Sequence, residues 1–175
     1  MSRVKKFLKP LLYIVAVAAV VIQFIRPTQN VSSGPTGKGI STQFPVPAEV
    51  DQILRRSCYD CHSNTTVYPW YANVQPVGWW LNGHINNGKN DLNFDEFAAY
   101  RAFRKYRRFH DVDELVSNNE MPLPSYLLMH RDAALSPEQK TTLIVWANAM
   151  RDTMKAHFPA DSLERRRGGQ RQPSP

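Results

Sequence analysis

The stretch SCYDCHSNTTVYPWY, residues 57–71, contains both cysteines of the 175-residue chain, Cys58 and Cys61, and His62 follows the second of them directly. A pair of thiols beside an imidazole can form a redox dithiol, part of a zinc site or the attachment point of a haem. Several kinds of site use a Cys-x-x-Cys spacing, so the surroundings of this stretch in the rest of the chain have to distinguish between them.

The residues before the cysteines predict a helix. Pro47 suits the first position of a helix, and apolar residues then recur at spacings of three and four in a series that includes both cysteines: Val50, Ile53, Leu54, Cys58 and Cys61. Both sulfur atoms are therefore expected on or just after one helix, on the side of its apolar stripe.

That position disfavours a catalytic dithiol. A thioredoxin-like Cys-x-x-Cys follows a strand and opens a helix, whose N-terminal field lowers a cysteine pKa. Here the pair closes a helix, where the field has the opposite sign. The chain also lacks convincing runs of alternating β-branched residues.

A structural zinc site needs four ligands, usually two further cysteines or a well-spaced histidine pair. The remaining histidines do not have that spacing: His84, His110, His130 and His157. Zinc held by the two cysteines and scattered histidines stays an alternative interpretation. A plain disulfide between Cys58 and Cys61 is another.

Covalent attachment of haem accounts for the spacing best. Two thiols three positions apart on one helical turn can each add to a vinyl group of a single porphyrin, and the adjoining imidazole can then ligate the iron. The sequence therefore predicts one haem c bound through Cys58 and Cys61, with His62 as an axial ligand. This pattern is specific in exported proteins.

The N-terminal residues indicate export. The run LLYIVAVAAVVIQFI, residues 11–25, has no charged side chain and follows Lys5, Lys6 and Lys9. A basic end before an apolar segment predicts insertion with that end in the cytoplasm. The run is shorter than the about 20 residues of a usual span, so residues 1–26 are an anchor or a signal; the absence of a well-placed cleavage site favours an uncleaved anchor.

The formal net charge of +7 is located at the two ends of the chain. Residues 1–26 carry five basic and no acidic side chains, and residues 159–175 carry four against two, whereas residues 27–158 carry 13 of each. A neutral body argues against a nucleic-acid partner. Inside it, one basic stretch predicts a solvated helix face or, alternatively, a docking patch for an acidic partner or for haem propionates: Arg101, Arg104, Lys105, Arg107 and Arg108.

Composition divides the chain into four parts. After residues 1–26, residues 27–46 are rich in Gly, Pro, Ser and Thr and predict a flexible linker. Residues 47–158 form the expected haem-binding domain, and residues 159–175 a disordered basic tail.

A second axial ligand is expected from the segment NNEMPLPSYLLMH, residues 118–130, where Pro122 and Pro124 predict an extended chain after Met121. Met121 is the first choice for the distal position. Met129 and a purely structural Met121 are alternatives, and His84 is the runner-up ligand.

Two further helices are predicted. One spans residues 92–109 and begins with the capping pair Asn93 and Glu96. The other spans residues 135–158, with Ser136 as cap, Pro137 at its first position and a packing stripe behind them. Clustered aromatic residues are expected either to cover a porphyrin or to fill the core: Tyr68, Trp70, Tyr71, Trp79 and Trp80.

The order of these elements resembles that of small class I c-type cytochromes. More closely, CYDCHSNTTVYPWYANVQPVGWWLNGHINNGKNDLNF followed by NEMPLPSYLLMHRDAALSPEQKTTLIVW resembles the bacterial haem-binding domain family of membrane-anchored, single-haem proteins, over residues 45–155. The resemblance also includes IQFIRP after the anchor. It implies thioethers at Cys58 and Cys61, proximal ligation by His62 and distal ligation by Met121. Where family members often have glycine before the Glu-Met-Pro, this chain has Asn119, which tolerates the left-handed conformation.

Together these features predict an all-α, small cytochrome c-like helical domain around one covalent haem, preceded by one membrane helix. The expected function is one-electron transfer between redox partners on the periplasmic or extracytoplasmic side of the cytoplasmic membrane. No general acid–base pair is visible, which favours an electron carrier over an enzyme. The alternatives are a haem-based sensor or peroxidase-like enzyme with a labile distal Met121, and a metal or interaction module without haem.

Overall fold

The computed structural model describes residues 2–32 and 34–164, and within these ranges the chain is helical and contains no strand, as the sequence predicts. The α-helices, in chain order, are α1 Ser2–Val21, α2 Ala48–Ser57, α3 Tyr59–His62, α4 Val77–Asp91, α5 Ala102–Ser117, α6 Pro124–Leu127, α7 Pro137–His157 and α8 Ala160–Leu163. Short 3₁₀ turns connect several of them.

The core lies where α5 and α7 pack together and meet α2. Its centre is a group of aromatic rings in which Phe109 contacts Phe44, with ring centroids 5.0 Å apart, and Trp146, with centroids 5.5 Å apart. Edge-to-face pairs of this kind add to the stabilisation from buried area. The Cys-x-x-Cys-His turn, which follows α2, packs on this core through Cys58 and Tyr59.

The N-terminus of α7 has the predicted cap. The Ser136 hydroxyl accepts a hydrogen bond from the Gln139 amide at 3.3 Å, and the Gln139 side chain accepts one from the Ser136 amide at 3.0 Å. Pro137 occupies the first turn, and the predicted stripe is buried at Leu143, Trp146, Ala147, Met150 and Met154. Local capping and the apolar period agree here, so this helix follows the prediction.

The helix expected over residues 92–109 starts later than predicted, at Ala102. Asn93 does not cap it: its side-chain oxygen accepts a hydrogen bond from the Asp95 amide at 3.0 Å, and its amide group donates to the Asn64 side chain at 2.8 Å. Asparagine favours such turns over helix interiors. Phe94 and Phe97 still reach the core, but from an irregular segment.

The segment after Met121 also differs from the extended chain that was expected, because Pro124–Leu127 form the short helix α6. Pro124 occupies the first helical turn, where a missing N–H costs no hydrogen bond. The two prolines therefore set where this helix begins.

Part of the predicted linker packs against the domain. Ile40 and Phe44 are buried core residues, and the Ile40 amide donates to the Phe94 carbonyl at 2.8 Å. These two apolar residues are isolated in a polar stretch of sequence, and for this reason the composition of the segment predicts a flexible linker. At the other end, Leu163 in α8 is buried within the stretch expected to be a tail. Residues 165–175 of that tail lie outside the described residues.

Among the described residues, one helix is long and apolar enough to cross a membrane, over Phe7–Phe24 near the N-terminus, and its side chains are exposed except for those of Ile22 and Gln23, which are half-buried. Eighteen helical residues extend about 27 Å, close to the thickness of a hydrocarbon core. This helix contains residues 11–24 of the apolar run that the sequence identifies as an anchor or a signal.

Candidate functional site

A cavity of about 330 Å³ opens between α2, α3, α4, α5 and the segment from Met121 to Tyr126. Apolar side chains form most of its walls, among them Leu54, Leu92, Val112, Leu115 and Leu123. The residues singled out from the sequence meet here: Cys58, Cys61, His62, Met121 and the runner-up His84. Met129, the other candidate, is 59 % exposed and is not among the lining residues.

The sulfur-bearing turn sits at a break between two helices. The chain leaves α2 at Ser57, Cys58 adopts a non-helical conformation, and α3 continues from Tyr59 to His62. The Cys58 carbonyl accepts from the His62 amide at 2.9 Å and from the Cys61 amide at 3.2 Å. Because the turn keeps a helical hydrogen-bond pattern, both cysteines and His62 border one cavity.

The imidazole of His62 is held in one tautomer. Its Nδ1 lies 2.9 Å from the Gly88 carbonyl oxygen and 2.9 Å from the Leu92 carbonyl oxygen. Carbonyl oxygens only accept hydrogen bonds, so Nδ1 carries the proton and Nε2 keeps its lone pair. Burial lowers the pKa of His62, which favours the neutral ring that a metal requires. The side chain is therefore prepared to ligate through Nε2.

Both cysteines are free thiols in the structure. Burial raises the pKa of Cys58 to about 12 and that of Cys61 to about 11, since a thiolate is poorly solvated there. A catalytic dithiol needs the opposite shift, towards a thiolate at neutral pH. The environment of these thiols therefore argues against the dithiol interpretation.

Helix α4 approaches the Cys-x-x-Cys-His turn closely at Gly88. A Cβ atom built on Gly88 would lie 2.7 Å from the carbonyl oxygen of Cys61 and 3.1 Å from its Cβ. Only glycine permits this approach, which also brings the Gly88 carbonyl to His62. The sequence analysis missed Gly88, although a glycine within a helical stretch is a signal of close backbone contact.

Asp60, between the two cysteines, fixes the turn from the other side. Its carboxylate accepts from the Val67 amide at 3.0 Å and from the Tyr126 hydroxyl at 2.7 Å. Burial and this hydrogen bond raise the pKa of Tyr126, so its hydroxyl stays protonated and donates. The hydrogen bond between Asp60 and Tyr126 thus links the Cys-x-x-Cys-His turn to α6. Neither residue was identified from the sequence.

Met121 is positioned by the C-terminus of α5. Asn119 adopts the left-handed conformation with φ of 60°, as the sequence analysis allows, and the chain reverses there. The carbonyl of Leu115 accepts from the Glu120 amide at 2.9 Å and from the Met121 amide at 3.1 Å. Such a helix end satisfies otherwise unpaired carbonyls and sets the direction of the following residues. Met121 is thereby brought to the cavity wall.

The other predicted ligands and aromatic residues are placed differently. His84 lies one turn before Gly88 on α4 and donates from Nδ1 to the Trp80 carbonyl at 2.9 Å. None of the clustered aromatic residues lines the cavity, and Trp70 is 74 % exposed; the set is Tyr68, Trp70, Tyr71, Trp79 and Trp80. These rings therefore cover neither the cavity nor, in the case of Trp70, any core.

The basic stretch is more than a solvated helix face. Lys105 is buried and donates to the Gln43 side chain, and Arg108 lines the cavity, bonded to Asp111 at 2.6 Å. The Nε of Arg108 is buried and has no hydrogen-bond partner among the described residues. A guanidinium in this position can serve an anionic group at the cavity.

The structure does not assemble zinc ligands at the turn. In the described part of the chain, one group of three histidine, cysteine or acidic side chains lies close enough to share a metal ion, and it is His110, Asp111 and Glu114 on the surface of α5. Four ligands are usual for structural zinc, so a zinc site at Cys58 and Cys61 lacks its remaining donors.

The same residues fit a haem. Two thiols and a neutral imidazole with its Nε2 lone pair available border one cavity, and a thioether borders it too. Apolar walls suit the porphyrin faces, and Arg108 suits a carboxylate at the rim. A protein-family model described as a haem-binding domain matches residues 17–149. No curated protein and no solved structure matches the chain.

Proposed function

Because this chain belongs to the haem-binding domain family, we propose that it is a c-type, single-haem electron carrier anchored in the cytoplasmic membrane. The family match includes α3, α4, α5 and the Met121 segment, and it begins within α1. Haem binding follows from the family; covalent attachment, the number of haems, the axial ligands and electron transfer are the proposal.

One observation carries the proposal: Cys58, Cys61 and the prepared imidazole of His62 border the same apolar cavity. Thioether attachment needs two thiols on one turn beside an axial ligand, and this turn provides them in that order. Two carbonyls hold the ring through Nδ1, an arrangement that orients metal-ligating histidines and strengthens them as ligands.

Met121 is the proposed distal ligand because of where the candidates lie. The carbonyls of Gly88 and Leu92 hold His62 from behind, on the Nδ1 side, so α4 forms the proximal wall. His84 lies one turn from Gly88 on that same helix, whereas Met121 comes from the end of a different helix, α5. A ligand from a separate element is better placed to reach the side of a bound haem that faces away from His62.

Haem supplies reversible one-electron chemistry when it is bound. The chain's own contribution is to hold the imidazole, to exclude water with apolar walls and to keep a thioether at the cavity. Ligation by both His62 and Met121 would leave no open coordination position, which favours electron transfer over oxygen or peroxide chemistry, and a methionine ligand raises the reduction potential. The partners would be other redox proteins.

The proposed location rests on α1. The helix is apolar enough to span a membrane, and the basic residues before it favour a cytoplasmic N-terminus. The haem-binding domain would then lie on the periplasmic or extracytoplasmic side. Haem attachment through two cysteines agrees with that location.

The attachment is tested by the double variant Cys58→Ala, Cys61→Ala, produced as the full chain in a host with a haem-attachment system. We expect the unchanged chain to gain the mass of one haem and to keep haem on a denaturing gel, and the double variant to lose both properties. If haem stays with the denatured double variant, or if the unchanged chain gains no mass, covalent attachment is wrong.

The distal ligand is tested with Met121→Ala, using Met129→Ala as a matched control outside the cavity. We expect only Met121→Ala to lose the long-wavelength charge-transfer band of a methionine-ligated ferric haem. His84→Ala should keep that band. Loss of the band in Met129→Ala alone would reassign the ligand to Met129, and a low-spin unchanged chain that lacks the band and becomes high-spin in His84→Ala would reassign it to His84. A high-spin spectrum of the unchanged chain would favour a sensor or peroxidase-like protein instead.

A further inference from the structure

The stretch of chain that contacts the end of α1 carries no charged side chain of its own. No Asp, Glu, Lys or Arg occurs from Val67 to Gly88, in a chain that is 21 % charged. Several large side chains of this stretch are exposed to solvent and form what we call the tryptophan face: Trp70, Val74, Val77, Trp79 and Trp80. Large contiguous apolar patches on folded domains mark contacts with partners or membranes.

This face is tied to the end of the apolar helix by a reciprocal pair of hydrogen bonds. The side chain of Gln23 donates to the Gln75 carbonyl at 3.1 Å and accepts from the Gln75 amide at 2.9 Å. Gln75 is itself buried, and its side-chain oxygen accepts from the Trp79 amide at 3.1 Å. Gln23 is the strongly polar residue of the apolar run, and both of its amide atoms are used here.

Two more contacts hold the same place. The indole Nε1 of Trp79 donates to the Ile25 carbonyl at 2.7 Å, and Arg26 approaches the Asn73 side chain at 3.5 Å. Ile25 directly follows the stretch Phe7–Phe24 that is long enough to span a membrane. The tryptophan face therefore begins at the level where that stretch ends.

We propose that the tryptophan face lies in the interfacial layer of the membrane that α1 spans, so that the haem domain rests on the lipid surface. Tryptophan is enriched at this level, where its ring meets acyl chains and its N–H meets polar groups. A lipid surface suits an apolar face without charges that is continuous with the span. The inference rests on the proposed membrane insertion of α1.

Helix α4 connects this face to the haem cavity. Trp80 packs on His84, with ring centroids 4.2 Å apart, and His84 lines the cavity. Eight residues after Trp80, about 12 Å along the helix, Gly88 holds the ring of His62. Docking would thus keep the haem close to the membrane surface, within reach of redox partners held in or on the same membrane.

The experiment uses the full haem-loaded chain in phosphatidylcholine–phosphatidylglycerol vesicles that contain a lipid with a photoreactive diazirine on its acyl chain. After illumination, labelled peptides are identified by mass spectrometry. We expect label on peptides from residues 7–25 and from residues 67–80. Val145 is 62 % exposed and lies on α7, which packs against α5 and α2, and its peptide should stay unlabelled.

A pair of variants sharpens the result. Trp70→Ser combined with Val74→Ser should lower the label on residues 67–80 about fivefold, because the face loses its interfacial side chains, while Val145→Ser leaves it unchanged. Label on residues 7–25 without label on residues 67–80, or protein–protein crosslinks from the face in place of lipid label, would overturn the inference. Absence of label on residues 7–25 would instead contradict membrane insertion, and with it the proposed location.

Discussion

On the α3–α4 side of the cavity, His62 is held by hydrogen bonds from its ring to two carbonyls, and α4 presses against the turn at Gly88. On the α5 side, Met121 is positioned through its backbone, which donates a hydrogen bond to the Leu115 carbonyl after the reversal at Asn119. The proposed proximal ligand, His62, is fixed by tertiary contacts of its side chain, and the proposed distal ligand, Met121, by the geometry of a helix end. We therefore expect substitutions on the two sides to have different effects.

The largest effect is expected on the α4 side, for Gly88→Ala. The added Cβ would lie 2.7 Å from the Cys61 carbonyl oxygen, and a backbone atom cannot move aside cheaply. Overpacking of this kind should lower the free energy of unfolding by about 3 kcal/mol and displace the carbonyl that holds His62. Urea titration of the detergent-solubilised chain measures the first effect, and the fraction of chain carrying haem measures the second.

Gly83→Ala is the matched control, because Gly83 lies on the same helix and a Cβ there would meet nothing within 4 Å. Alanine in a helix should stabilise the chain by up to about 1 kcal/mol at an open position. Equal effects of the two substitutions would mean that helix propensity, and not the contact with Cys61, decides the stability of this side.

A smaller effect is expected on the α5 side, for Asn119→Val. With φ of 60°, a β-branched residue is strained, and the cost should be about 2 kcal/mol. Because the reversal directs Met121, part of the protein should lose methionine ligation while haem stays attached through the cysteines. Absorbance spectra and denaturing gels separate these two outcomes. Asn119→Gly should behave like the unchanged chain. A similar loss of stability in Asn119→Gly would contradict the role given to Asn119.

The same distinction explains what the sequence can predict. The cap of α7 and the Cys-x-x-Cys-His turn depend on residues within four positions of each other, and both occur as expected. The bond from His62 to Gly88 spans 26 positions, and the bond from Asp60 to Tyr126 spans 66. No local pattern contains such contacts, so the residues that orient His62 and Met121 are missed. The ligand candidates themselves come from local patterns and stay predictions.

Local patterns mislead where a tertiary contact competes with them. Asn93 and Glu96 have the spacing of a capping box, yet the Asn93 side chain bonds to Asp95 and to Asn64, and α5 begins nine residues later. Likewise, the polar composition of residues 27–46 conceals Ile40 and Phe44, whose burial depends on the aromatic core that they meet. Asn64, which bonds to Asn93, and the aromatic residues that bury Ile40 and Phe44 all lie far away in the sequence.

The bond that joins the two sides gives the smallest expected effect. Tyr126→Phe removes the hydroxyl that donates to Asp60 at 2.7 Å, and a hydrogen bond to a charged acceptor is worth about 1.5 kcal/mol. The Val67 amide still holds Asp60, and Met121 keeps its own bond to Leu115, so ligation should persist while the free energy of unfolding falls. Tyr106→Phe is the control, because its hydroxyl accepts only a long 3.4 Å contact from Arg151. If Tyr126→Phe also lost methionine ligation, the two sides would be coupled through Asp60, and the contrast between a side-chain-held and a backbone-held ligand would fail.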